Sequence, residues 1–263
     1  FDKWLSKQPL FIKNWCLSNN FKGEMGKILK IPYLDGRLRE VLLGEGLNSN
    51  LSSVSIFSSL NKGNYFLYSK FSDSSDLEIQ KAWAWGGYQY GNKGSLNLLY
   101  VNGKQNLNYL NIFEQSINFS RELINSSANT INPKTFLNKV KNSKLFSNFF
   151  FTNYTEKEIS KRFPLTFAVG KSSNIAPKFI HVSNKKITKK DKPLVIIGKG
   201  VTFDTGGLNI KPGNSMRNMK KDMGGAAIAI SLFLVSSYLL KKTKIVLLIP
   251  LAENAVSSNS MRP

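Results

Sequence analysis

The chain has 263 residues, 41% hydrophobic and 12% aromatic, and a formal net charge of +21 at pH 7. That composition supplies a core for one large or two modest domains and excludes an intrinsically disordered chain. One cysteine, Cys16, and one histidine, His181, exclude an internal disulfide framework and a Cys/His zinc site, and leave a Ser-His-Asp or Cys-His centre only His181 to draw on.

Residues 4–19 place Trp4, Leu5, Ile12, Trp15 and Cys16 at helical spacing. Residues 27–32 and 39–44 are short strand-like runs with an Asp35-Gly36 turn between them, and 65–69 is another. The Ser- and Asn-rich stretch 48–59 reads as a loop, 76–88 as a helix and 95–101 as a strand, with a turn at Asn102-Gly103. Together these predict a small N-terminal α/β domain over residues 1–104.

From residue 105 to 263 the pattern becomes alternating. Residues 107–124 read as a connecting helix, and Pro133 opens another that runs through Val140. Then come a strand (145–152), a helix (155–162) and two strands (165–170 and 177–182). Residues 194–198, bounded by Pro193 and Gly198, are a continuous apolar run that suits a central strand buried on both faces. A glycine-rich loop, a helix over 223–240 and a strand over 245–250 follow. The expected fold is α/β, with a central mixed, mostly parallel sheet covered by helices.

The first residues carry Asp2, Lys3 and Lys7 and no long apolar core, so they do not read as a signal peptide. Phe stands at position 1 instead of Met, which places the expected true start upstream. Residues 224–240 are uncharged but short for a membrane span, carry Ser231, Ser236, Ser237 and Tyr238, and run directly into a strand. They are read as a buried helix, with no membrane partner. The lysines are dispersed, with small knots at Lys185-Lys186, Lys189-Lys190 and Lys220-Lys221. That spread favours a solvated lysine-rich surface over nucleic acid as a main partner.

The densest chemistry lies in residues 196–227, IIGKGVTFDTGGLNIKPGNSMRNMKKDMGGAA. Lys199, Asp204, Lys211 and Asp222 follow a strand end, where α/β sheets place ligands, and glycines at 198, 200, 206, 207, 224 and 225 allow close approach. Two carboxylates beside two amines can bind cations or polarise a substrate. A phosphate loop is excluded, because Lys199 is followed by Gly200 and no Lys-Ser/Thr pair exists. A dinucleotide fingerprint fails where Phe203 stands in its third glycine position. On the residues alone, a glycine-rich connection with ordinary solvated charges stays open.

GKGVTFDTGG, IKP and KKDMGGAA, in this order and spacing, resemble the metal-binding stretch of the leucine (cytosol) aminopeptidase family, bacterial type. RELINSSANTINP (121–133) resembles its Arg-x-Leu-x-Asn-x-x-x-Asn segment. FAVGKSSNIAPKFIHV (167–182) resembles its Val-Gly-x-x-Ser segment, and LAENAVSSNSMRP (251–263) its Glu-Asn-x-x-Ser segment that ends in Arg-Pro. WAWGGYQY (83–90) is similar to a small-residue helix that ends the N-terminal domain.

The resemblance implies a peptide hydrolase releasing N-terminal residues, often leucine, with two divalent ions (Mn or Zn) per subunit, in a cytoplasmic homohexamer. By its motifs, Lys199 is a metal ligand as a neutral amine, Asp204 bridges two ions, and Asp222 binds one ion and the substrate's α-amine. Lys211 stays charged and polarises the peptide carbonyl, and Met219 lines the pocket for the first side chain. The Glu-Asn pair, Glu253-Asn254, supports the site from outside the ligand set, and His181 reads as structural. The family's third motif, Asn-Thr-Asp-Ala-Glu-Gly-Arg, with two further carboxylate ligands and an arginine for (bi)carbonate, is absent from these residues. A truncated catalytic domain, inactive by itself, is the resulting expectation.

Overall fold

The computed structural model describes residues 1–45, 60–61, 63–68, 73–91, 98–100 and 107–263. They fall into two units, Phe1–Asn106 and Leu107–Pro263. The predicted turn at 102–103, and all of the predicted 48–59 loop, lie outside the described residues.

In the first unit, Pro9 divides the expected N-terminal helix into α1 (Asp2–Leu5) and α2 (Leu10–Ser18). Proline has no backbone N–H to continue a helix, but it is tolerated where one begins. Ile12 and Cys16, one helical turn apart, face β1 (Ile28–Pro32), which pairs antiparallel with β2 (Leu38–Leu43). These two side chains join Phe21, Leu29 and Ile31 in a small core. β3 (Asn64–Phe66) pairs in parallel with β4 (Leu98–Tyr100), and α3 spans Asp73–Gly86.

The second unit is built on a five-stranded mixed sheet. Its strands are β5 (Phe150–Thr152), β6 (Lys178–Ser183), β7 (Leu194–Ile197), β8 (Gly200–Asp204) and β9 (Ile245–Asn254). The order is β5-β6-β9-β7, with β8 also on β9. β6 is antiparallel to both neighbours, and β7 and β8 are parallel to β9, so β6 alone runs against the other four. β9 is apolar along most of its length and buried, as a central strand requires.

β7 and β8 lie end to end along β9. Leu194 to Ile197 pair with Ile245 to Leu248, and Gly200 pairs with Leu251. The stretch after Gly198, expected as loop, therefore contains a strand, and the chain only jogs at Gly198-Lys199. Gly198 has a steric reason: a Cβ there would sit 2.7 Å from Ala226 Cα and 2.8 Å from the Gly225 carbonyl oxygen.

The helices of this unit are α4 (Leu107–Asn125), α5 (Pro133–Asn142), α6 (Glu156–Arg162), α7 (Pro164–Gly170), α8 (Gly213–Met216) and α9 (Gly224–Leu239). α5 starts as expected: Pro133 occupies its first turn, and Asn132 caps it in a reciprocal box with Thr135. Two expected strands are corrected. Residues 145–149 begin in a 3-10 turn, Lys144–Phe146, leaving only Phe150–Thr152 as strand. Residues 165–170 form α7, because Pro164 pre-sets the first helical turn and the alternating Leu165, Phe167 and Val169 remain exposed instead of filling a sheet face.

α9 packs on the sheet and along α4. Ala226, Ala227, Ile230, Phe233 and Leu234 are buried with Phe136, Phe146, Leu247 and Ile249. Serines join the two helices: the Ser120 hydroxyl donates to the Ala227 carbonyl and lies 2.6 Å from the Ser231 hydroxyl, which donates to the Ser116 carbonyl at 2.7 Å. Met219–Leu239 is long and apolar enough to cross a membrane by composition, but its inner face is committed to this core. Its outer residues Ile228, Leu232 and Leu239 are exposed. The expected central strand over 194–198 is also corrected: β7 stands at the end of the sheet with Leu194, Val195 and Ile197 exposed, and the strand buried on both faces is β9, which pairs on both sides.

Candidate functional site

Parallel β7, β8 and β9 all point their C-terminal ends toward one edge, and the polar residues gather there. Lys199 sits at the jog between β7 and β8. Asp204 ends β8, opposite Asn254 at the end of β9. A register irregularity between Val201 and Asp204 realigns the strand, so that the Asp204 backbone meets Asn254.

The loop after β8 folds back on itself. Gly206 and Gly207 adopt φ of +88° and +69°, a left-handed conformation that side chains resist. That turn lets the Lys211 N–H donate to the Thr205 carbonyl at 2.9 Å. Lys211 is thereby brought under Asp204, with Nζ 2.7 Å from Asp204 Oδ2 and 3.3 Å from the Met219 sulfur. Asp222 follows the 3-10 turn Met219–Lys221 and precedes α9, and its Oδ1 is 2.9 Å from Lys199 Nζ.

The five predicted residues, Lys199, Asp204, Lys211, Met219 and Asp222, thus come together as two acid–lysine pairs with a thioether between loop and helix. Burial on its own would raise the Asp204 carboxyl. Hydrogen bonds from Lys211, the Gly206 N–H and Asn254 outweigh it and hold the group below its usual range. The hydrogen bond to Asp204 raises Lys211 against the opposing effect of burial, with Asp222 adding attraction. Lys211 is therefore a secured cation that feels both carboxylates.

Asp222 Oδ2 is buried and has no hydrogen-bond partner. A buried carboxylate oxygen without a donor is costly, and a cation is one of the few groups that satisfies it. Its neighbours are oxygen and amine donors, suited to a hard or borderline dication. No group of three or more His, Cys, Asp or Glu side chains is gathered among the described residues. The residues present therefore fit part of a dication's ligand set.

Behind the site lies a network whose wiring the sequence did not display. The buried Glu253 carboxylate accepts from Arg262 Nε and Nη2, each at 2.8 Å, and from the Ser173 hydroxyl at 2.5 Å. The Arg262 backbone exchanges hydrogen bonds with the Asn129 side chain. Asn129, Ser173, Glu253 and Arg262 come from three separated segments. His181 Nδ1 lies 2.8 Å from the Tyr154 hydroxyl, and burial and then Arg162 lower its pKa. Asn254, the second residue of the Glu-Asn pair that the resemblance placed outside the ligand set, donates from Nδ2 to Asp204 Oδ1 at 2.7 Å.

Comparison with known proteins bears on this geometry. The model for the cytosol aminopeptidase family, catalytic domain, matches residues 118–263, and that for the M17 aminopeptidase N-terminal domain matches residues 1–95. A probable cytosol aminopeptidase of Aquifex aeolicus is 38% identical over 155 residues, 58% of this chain and 31% of that protein. The crystal structure of cytosol aminopeptidase from Coxiella burnetii superposes with a TM-score of 0.81 at 29% identity, covering 100% of this chain and 58% of that one. Bottromycin maturation enzyme BotP in complex with Mn shares the fold, with a TM-score of 0.75 at 21% identity over 94% of this chain and 58% of its own. The chain thus spans between 31% and 58% of the length of these relatives.

Proposed function

The chain belongs to the cytosol aminopeptidase family, and from that membership we propose that it forms part of a metal-dependent aminopeptidase that releases N-terminal residues, leucine among them, from peptides. The observation that carries this reading is the pair of acid–lysine couples at the strand ends, with one buried carboxylate oxygen left unpartnered on Asp222.

Lys199, Asp204 and Asp222 would hold the metal. Two divalent ions, Mn or Zn, would supply Lewis acidity and an acidified water when bound. A neighbour of the same fold described in complex with Mn supports the choice of a dication. The further carboxylates and the (bi)carbonate arginine lie in the family's third motif.

The chain's own residues have separable tasks. Asp222 accepts from the substrate's α-ammonium and so counts residues from the N-terminus. Lys211, kept cationic by Asp204, donates to the scissile carbonyl oxygen as that oxygen gains negative charge. Met219, in contact with Lys211 Nζ, offers a soft apolar wall to the first side chain. Peptides are the proposed partners, in place of nucleic acid or a membrane, and the proposed assembly is a cytoplasmic homohexamer.

The test uses the protein expressed from its complete reading frame, with Mn and a leucyl chromogenic substrate. Asp204→Ala is expected to abolish release of the amino acid while the circular dichroism spectrum stays unchanged. Activity retained by that variant would overturn the site assignment.

A further inference from the structure

The 3-10 turn Met219–Lys221 and the residue after it sort their side chains by direction. A 3-10 helix has three residues per turn, so positions three apart eclipse. Met219 and Asp222 are three apart, and both face the site: the Met219 sulfur lies 3.3 Å from Lys211 Nζ, and Asp222 Oδ1 lies 2.9 Å from Lys199 Nζ. The Asp222 N–H donates to the Met219 carbonyl at 3.1 Å, which couples the two. Lys221 is exposed, as a solvated lysine would be. Lys220 is half-buried, and its Nζ donates to the Asn125 carbonyl at 3.2 Å.

Asn125 is the last residue of α4, and the final carbonyls of a helix have no partner within it. The Glu122 carbonyl accepts from the Ser126 N–H at 3.1 Å and from the Ser126 hydroxyl at 2.7 Å. The Asn125 carbonyl takes the Lys220 ammonium, where the negative end of the helix favours a cation. α4 is a firm base, because its Ser120 and Ser116 are hydrogen-bonded to α9. Beyond Asp222 the chain runs directly into α9, whose Ala226 N–H donates to the Lys199 carbonyl at 2.9 Å. The turn is thus held at its far end by α9 and at its side by Lys220.

We propose that Lys220 is a positioning residue that sets the fit of the first side-chain pocket: by tying the turn to α4 it fixes Met219 and Asp222 together against Lys199 and Lys211. The inference rests on the proposed aminopeptidase reading, in which Asp222 takes the α-ammonium and Met219 the first side chain. Lys220 itself needs no contact with substrate or metal. With the tie cut, the turn pivots on α9, and the apolar wall and the ammonium acceptor shift as one. Leucyl substrates then lose more binding than alanyl ones, because an apolar pocket reads side-chain size methylene by methylene.

The experiment is steady-state kinetics of the Mn-loaded protein, expressed from its complete reading frame, on leucyl and alanyl chromogenic substrates. Parent, Lys220→Met, Lys220→Gln, Lys220→Arg and Lys221→Met are compared, with thermal melts to identify the variants that keep the parent fold. A folded Lys220→Met or Lys220→Gln should raise KM for the leucyl substrate with kcat little changed, and lower the leucyl-over-alanyl ratio of kcat/KM about 3- to 10-fold. Lys220→Arg keeps a cationic donor and should restore the parent ratio, and Lys221→Met should not move it. A merely structural lysine would give neither the altered ratio nor the rescue. An unchanged ratio in a folded Lys220→Met or Lys220→Gln, a uniform fall for both substrates, or an equal change in Lys221→Met would overturn the inference and leave the aminopeptidase reading standing. Loss of the fold in both Lys220→Met and Lys220→Gln would make Lys220 a structural group and overturn it as well. No release of either amino acid by the parent would overturn both.

Discussion

Arg262 clasps Glu253 with two parallel hydrogen bonds of 2.8 Å, and the acid is 1% exposed. Such a pair is weak evidence of net stability while intact, but it is expensive to break. Arg262→Ala leaves a buried carboxylate that keeps only the Ser173 hydroxyl. We expect it to lower unfolding free energy by about 3–5 kcal/mol in urea denaturation. Replacing both partners, Glu253→Gln with Arg262→Met, should recover most of that loss; an additive double variant would mean the pair is not a unit.

Gly198→Ala tests the jog. The new methyl would meet the Ala226 backbone and the Ala229 side chain, so α9 must move off the strand end. A cost of about 1–3 kcal/mol is expected, read as a fall in Tm. An unchanged Tm would show that α9 shifts freely there.

Lys211→Met keeps the aliphatic stem and removes the charge. From the role proposed for Lys211 at the scissile carbonyl, kcat of the complete protein for a leucyl substrate should fall about 10²–10³-fold with KM much less affected, since such a contact strengthens as the oxygen becomes negative. Steady-state kinetics decide it: a rise in KM alone would place Lys211 in ground-state binding.

Glu114, on α4, gives a pH dependence. Burial pushes its carboxyl from the ordinary 4.5 up to about 7. The folded chain therefore keeps a proton that the unfolded chain releases. Its stabilising contribution is complete below pH 4.5 and is lost as pH rises through 7. After a discount for partial exposure the loss is on the order of 2 kcal/mol. Denaturation midpoints at pH 5 and pH 8 should differ more in the parent than in Glu114→Gln; equal differences would remove Glu114 as the cause.

The helices that declare themselves by chemistry were readable in advance. Asn132-Pro133 marks a helix start by capping and by a fixed φ, and Ile12 and Cys16 mark a buried helix face by spacing. The chain around the site was harder. Gly200–Asp204 is a strand because β9 extends far enough to pair with it, and no local pattern within those five residues carries that information. Pro164 outweighed the strand-like alternation of Leu165, Phe167 and Val169 because it acts at the helix's first turn. The placement of Lys199, Asp204, Lys211 and Asp222 on one edge was foreseeable from glycines after a strand. Which lysine pairs with which acid was not, since that depends on the loop closing through Lys211 and Thr205. Nothing in sequence joined Asn129 to Arg262, which lie at opposite ends of the second unit's chain.

The exposed end of the sheet carries a consequence of another kind. Leu194, Val195 and Ile197 stand open on β7, and Ile228 and Leu232 stand open on α9. A bare strand edge with apolar side chains is a template for further strands, including those of identical molecules. Strand-on-strand association of newly made chains is the expected cost of such an edge. In those terms Val195→Lys would act on yield and solubility, as a gatekeeper charge does, while leaving Lys199, Asp204, Lys211 and Asp222 in place.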